Sequence, residues 1–103
     1  MIEIDFTTKP SKNKSKDIIP EYVVDKWGYK RLYDENGQLH SYNDLPAWIW
    51  PEGTKIWYIH GLTHRGNGLP AIIYSDGVKE WHENNVFIRD ESPNDKNRFY
   101  NQI

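Results

Sequence analysis

Cysteine is absent from this 103-residue chain. Its absence excludes a disulfide framework, thiol catalysis and Cys-ligated zinc. It also fits a reducing compartment, so the expected location is the cytoplasm. Long apolar runs are missing too. Nothing approaches the ~18 residues of a membrane-spanning helix, so no membrane association is expected. The opening MIEIDF is too short and too acidic for a secretory signal. An excess of one charge sign is also lacking: 13 Lys and Arg against 15 Asp and Glu leave a net charge of −2. That balance argues against a general nucleic-acid binder and against a heavily acidic nucleic-acid mimic. The hydrophobic fraction, 37%, allows one modest core in one domain. Aromatics, at 15% with five Trp and seven Tyr, carry much of the apolar area. Each large ring buries on the order of 150–250 Å². A chain this rich in rings is expected to fold.

The chain divides into four parts. MIEIDF alternates Ile2, Ile4 and Phe6 with polar residues and predicts a strand over 1–6. A lysine-rich loop follows over 7–19, with Lys9, Lys12, Lys14 and Lys16. From 22 to 90, short β-rich runs (YVV, AWIW, TKIWYIH, AIIY, VKEW, VFIR) alternate with turns such as DENGQ, PEG and SDG. This pattern predicts a mostly β fold, an antiparallel meander of hairpins in a single twisted sheet. Asn36-Gly37 is the strongest short hairpin signal. At the end, Ser92 as N-cap, Pro93 at the first helical position and Asp95 in the first turn predict a short C-terminal helix over 93–103.

The hairpin region repeats with an offset of 24 residues. Tyr33, Trp57 and Trp81 align, as do Asn36-Gly37, His60-Gly61 and Asn84-Asn85. His40 matches His64, Leu45-Pro46-Ala47 matches Leu69-Pro70-Ala71, and Ile49, Gly53 and Lys55 match Ile73, Gly77 and Lys79. The small Ala47 and Ala71 suggest close approach of a large neighbour, for which the repeated Trp is the candidate. Turn length decides which residues share a face, because a one-residue slip inverts a strand. If Ser75-Asp76-Gly77 forms a three-residue loop, Tyr74 pairs with Val78 and Ala71 faces Trp81. The repeated set (Ala, Ile, Lys stem, Trp) then shares one face. The other face carries the residues that vary: Trp48, Trp50, Ile56 and Tyr58 in one unit, and Ile72, Tyr74, Glu80 and His82 in the next. Either the terminal segments cover this variable face, or it is an aromatic patch that binds a partner.

The unit WYIHGLTHRGNGLPAIIYSDGVKEW resembles a repeat found in many bacterial, bacteriophage and large-virus proteins, similar to but distinct from MORN repeats. Trp57, Tyr58, Gly61, His64, Arg65, Pro70, Ala71, Asp76, Gly77 and Trp81 carry the match. Leu69 departs from the usual Gly, and the upstream unit has Ser41 for Arg and Glu52 for Asp. The resemblance spans about 29–88. It implies an interaction scaffold with no shared catalytic residue and points to a bacteriophage or mobile-element accessory protein whose partner is a host factor.

Chemistry is hard to find. His60 and His64 are four apart, a spacing that suits a metal on a helix, but GLT between them is a predicted turn. Structural roles are expected for the histidines, with the repeated imidazoles bonding loop backbone. Arg65 is expected to pair with Asp76 in preference to a carboxylate or phosphate on a partner. Glu80, Glu83, Asp90 and Glu91 include no marked acid/base pair. No nucleophile elbow is present, and GNG lacks the lysine and helix of a phosphate loop. Neither an enzyme nor a cofactor or metal site is therefore expected. The leading expectation is a protein-binding module using Trp48, Trp50, Tyr58, Tyr74 and His82. The alternatives are a single-stranded nucleic-acid binder using the lysine-rich loop, and a small-ligand protein or enzyme. Self-association through open sheet edges is a further expectation.

Overall fold

The computed structural model describes residues 19–93. The predicted strand at 1–6, most of the lysine-rich loop and the C-terminal helix beyond Pro93 lie outside the described residues. Within 19–93 the chain is all β. Nine short strands form: β1 (Val23–Val24), β2 (Lys30–Arg31), β3 (Trp48–Ile49), β4 (Lys55–Ile56), β5 (Tyr58–Ile59), β6 (Leu62–Thr63), β7 (Ile72–Ile73), β8 (Lys79–Glu83) and β9 (Val86–Glu91). Seven make one antiparallel sheet in the order β9-β8-β7-β4-β3-β2-β1. The expected single sheet is not continuous, because β5 and β6 pair separately as a two-stranded ladder. Among the described residues no helix is long and apolar enough to cross a membrane.

The turns explain the register. Lys26-Trp27-Gly28, Glu35-Asn36-Gly37, Pro51-Glu52-Gly53 and Ser75-Asp76-Gly77 are all three-residue loops, each closed by a bond from the Gly N–H to the carbonyl before the loop, at 2.9–3.1 Å. Every one of these glycines has φ between 80° and 109°, the left-handed region that L side chains resist. An acid sets each turn. Asp25 and Asp34 accept two amide N–H groups apiece. Glu52 and Asp76 accept one each, from Thr54 and Val78.

The resulting register is the one the repeat implies: Ile73 pairs with Lys79 and Ile72 with Glu80. In the unit before, Ile49 pairs with Lys55 and Trp48 with Ile56. Strand pairing therefore aligns Leu32, Ala47, Trp57, Ala71, Trp81 and Arg89 in one cross-sheet row. Large and small alternate along it, and the alanines are fully buried beside Trp57, itself 5% exposed. Each alanine leaves the width that an indole occupies.

This row also revises the alignment of the first unit. The sheet position of Trp57 is filled by Leu32, not Tyr33. Leu32 and Trp57 donate their N–H to Ala47 and Ala71, and their carbonyls accept from His40 and His64. The offset is 25 before the Asn36-Gly37 turn and 24 after it, because that turn has three loop residues where His60-Gly61 and Asn84-Asn85 have two. The compact pair needs positive φ at both positions, and His60, Gly61, Asn84 and Asn85 all have it.

The repeated histidines brace one unit against the next. His40 Nδ1 accepts the His60 N–H at 2.9 Å, and His64 Nδ1 accepts the Asn84 N–H at 3.2 Å. Both rings must be neutral at Nδ1 to accept, which fixes the proton on Nε2.

Candidate partner-binding surface

The face opposite the alanine–tryptophan row carries every site residue expected from the sequence, in two groups. Trp48 and Trp50 alternate with Ile49 on and just beyond β3, so both project to this side. They meet at 5.5 Å between ring centroids, and Tyr58 lies 6.5 Å from Trp48. Tyr29, at the start of β2, joins the cluster 6.3 Å from Trp48 and 5.9 Å from Trp50. The Arg31 guanidinium lies over Trp48 at 5.3 Å and Tyr29 at 5.5 Å, and it is held by Asp25 Oδ2 at 3.0 Å. Partial burial pushes the Asp25 carboxyl up. Arg31 and the amides of Tyr29 and Trp27 outweigh that and leave it below its ordinary value. Burial raises the Tyr58 hydroxyl, so it stays protonated at neutral pH.

The second group is polar. Glu80 sits in the same cross-strand row as Trp48, Ile56 and Ile72. Its two oxygens accept from Tyr74 Oη at 3.3 Å and meet His82 Nε2 at 2.9 Å. Burial and then the Glu80 charge push the Tyr74 hydroxyl up. His82 also packs edge-on against Phe87, at 5.5 Å. Between the two groups in the same cross-strand row lie Ile56, buried at 7% exposure, and the half-buried Ile72.

Tyr29 and Trp27 escaped the sequence reading. Trp27, 67% exposed, projects from the first three-residue loop with Lys26 Nζ 4.9 Å over its ring. The signal was DKWGY, a three-residue loop ending in Gly like PEG and SDG. It stands 25 rather than 24 residues upstream of the PEG turn.

The four ordered tryptophans of the sheet differ in one polar atom. Trp57 Nε1 donates to the Asp44 carbonyl at 2.9 Å, and Trp81 Nε1 donates to the Gly68 carbonyl at 2.8 Å. Trp48 Nε1 and Trp50 Nε1 are shielded from solvent and meet no acceptor among the described residues. A shielded donor without an acceptor is costly, on the order of 1–3 kcal/mol, so native structures contain few of them.

Arg65 does not pair with Asp76. Asp76 is occupied by its own turn amide, whereas the loop before β3 brings Asp44 alongside. Arg65 Nε and Nη2 bond Asp44 Oδ1 and Oδ2 at 2.9 Å each, and its guanidinium stacks 3.8 Å over Trp57. The arginine holds the Asp44 carboxyl below its ordinary value. Ser41 replaces this arginine in the unit where Leu32 replaces the tryptophan, so the cap and the ring it covers are lost together.

Three metal-capable side chains do converge, Asp34, His40 and His60, with ligand atoms within 4.8 Å of one another. The Asp34 carboxylate and the Nδ1 atoms of both histidines are already engaged. Asp34, its side chain fully buried, accepts from Asn36, Gln38 and, at 2.6 Å, from His60 Nδ1. The His60 bond and these amides hold the Asp34 carboxyl below its ordinary value. His40 Nδ1 is taken by the His60 amide, and the two imidazoles stack at 4.1 Å. A metal bound through Asp34 and these Nδ1 atoms would have to displace these contacts, and the geometry seen is that of a hydrogen-bonded corner. Comparison with family models, with curated proteins and with solved structures finds no match to this chain.

Proposed function

We propose that this protein is a small interaction module that binds another protein through the Trp48–Trp50–Tyr58 face and its extension to Tyr74 and His82. The observation that carries this reading is the contrast between the indoles. Those in repeated positions are hydrogen-bonded into the scaffold, and those in variable positions are not. Rings that the fold leaves unpaired, clustered beside an arginine, have the composition of an interface hot spot. In this reading the chain is built of MORN-like hairpin repeats. It serves as an accessory protein of a bacteriophage or mobile element, acts in the host cytoplasm, and inhibits a host defence or replication factor. Trp50→Ala and Tyr74→Ala proteins, immobilised beside the wild type in a host lysate, test it. The reading expects a host protein held by the wild type and released by both variants while each still unfolds cooperatively. Retention of the same protein by both folded variants would sink it.

The alternative of single-stranded nucleic-acid binding draws its charge from Lys9, Lys12, Lys14 and Lys16, which lie outside the described residues. Self-association is a second reading with its own observation. Among the described residues β9 ends the sheet with Val86, Phe87 and Ile88 each more than half exposed, and β1 ends it with Val23 and Val24 in the same condition.

A further inference from the structure

The repeat places two equivalent clefts on the tryptophan side of the sheet, and they differ in one decisive group. The first, about 200 Å³, is walled by Ser41, Asp44, Trp57, Ile59, His64 and Arg65. Adding 24 to each number gives Arg65, Gly68, Trp81, Glu83, Ile88 and Arg89, and all six line the second cleft, about 300 Å³. In both, an arginine stacks on the repeated indole, Arg65 at 3.8 Å and Arg89 at 3.7 Å. In the first cleft the outer edge of the guanidinium is filled by Asp44, in a two-pronged bond. In the second, Asp44 is replaced by Gly68. Backbone conformation is shared, with φ of 61° at Asp44 and 71° at Gly68, so the side chain alone is missing.

Among the described residues Arg89 has no two-pronged carboxylate partner of this kind. Among the described residues its ion pair is with Glu91 at 3.9 Å, beyond hydrogen-bonding distance, and its side chain is 55% exposed against 13% for Arg65. Glu83 lines the same cleft without an ion pair to Arg89. The wall changes as well. The position of His64 becomes Ile88, 51% exposed, and Leu69 stands beside it at 38% exposed.

We propose that the Trp81–Arg89 cleft is a docking site for an acidic side chain of a partner protein, whose carboxylate takes on Arg89 the place that Asp44 takes on Arg65. A planar guanidinium held flat on an indole offers parallel N–H groups that match a carboxylate. Ile88 and Leu69 favour an acidic residue flanked by apolar ones. Trp81 and Arg89 lie on the other side of the sheet from Trp48 and Trp50, and His82 alone of the proposed binding face also lines this cleft, so either site can fail alone.

The test uses the full chain, ¹⁵N-labelled, observed at the arginine Nε–H and indole Nε1–H signals. The probes are an end-blocked Leu-Asp-Leu peptide, its Leu-Asn-Leu counterpart and inorganic phosphate. The proposal expects saturable shifts at Arg89 and Trp81 with the aspartyl peptide, with a Kd on the order of millimolar. It expects at least tenfold weaker effects from the asparaginyl peptide and from phosphate, and unmoved signals at Arg65 and Trp57. Arg89→Gln should abolish the shifts. Gly68→Asp should supply the missing carboxylate internally, move the Arg89 and Trp81 signals towards those of Arg65 and Trp57, and block the peptide at least tenfold. There is room for it, since a Cβ at Gly68 meets nothing within 4 Å. Gly68→Asn, with the same shape and no charge, should keep peptide binding and controls for folding. Equal response to the asparaginyl peptide, equal or stronger response to phosphate, or no response at Arg89 would each overturn the proposal. So would shifts that grow with protein concentration alone, which would make a second copy the occupant.

Discussion

The two faces of the sheet are built from the same strands and are held in opposite ways. On one, Leu32, Ala47, Trp57, Ala71 and Trp81 alternate large and small. Loops close over the rings there, and indole N–H groups and a stacked arginine are satisfied within the chain. On the other, Trp48, Trp50, Tyr29 and Tyr58 touch ring to ring, and two indole donors find no acceptor among the described residues. Repetition marks the first face because each unit must seat its neighbour.

Substitutions should separate the faces by magnitude. Trp57→Ala removes the largest buried ring together with its bond to Asp44, and should cost about 3–5 kcal/mol in urea unfolding. A loss near zero would break the comparison from the scaffold side. Ala71→Leu inserts bulk between Trp57 and Trp81 and should cost about 1–3 kcal/mol. Toleration of it would mean that the row has slack. Trp50→Ala should cost no more than about 1–1.5 kcal/mol, the scale of a lost aromatic pair on a partly exposed surface. Asp44→Ala should cost about 0.5–1 kcal/mol, because the pair with Arg65 is well oriented but the carboxylate is half exposed and screened. The smallest effect is with pH. Burial and then His60 lower the His40 imidazole below its ordinary value, so it stays neutral and accepts the His60 amide. The unfolded chain therefore takes up this proton first. This contribution is full above about pH 6.5. It declines as pH falls from there through the lowered value. An NMR titration of His40 with a midpoint above that of free histidine would contradict the assignment.

Much of the fold was legible because the repeat constrains loop length. Only a three-residue SDG loop keeps Ala71, Ile73, Lys79 and Trp81 on one side, and Ile73 does pair with Lys79. The same logic failed where the repeat itself shifts. The longer Asn36-Gly37 turn hides a one-residue offset, so Tyr33 aligned in place of Leu32 and the loop carrying Trp27 went unseen. The break between β4 and β5 at Trp57 is a change of ladder within one run of residues, and no composition signal marks it. Arg65 was matched to an acid in its own repeat unit. Its actual partner, Asp44, comes from the preceding loop, 21 residues away, a neighbour that only the stacking of units creates. The corner of Asp34, His40 and His60 arises in the same way, from side chains of adjoining turns.

The central claim is that repeated positions hold the fold and variable aromatic positions serve binding. Urea unfolding of Trp50→Ala beside the wild type tests it most directly. The account predicts a single cooperative transition with a stability loss no greater than about 1.5 kcal/mol. A loss of about 3 kcal/mol or more, the scale of a buried-core truncation, would show that the aromatic face is core and contradict the account.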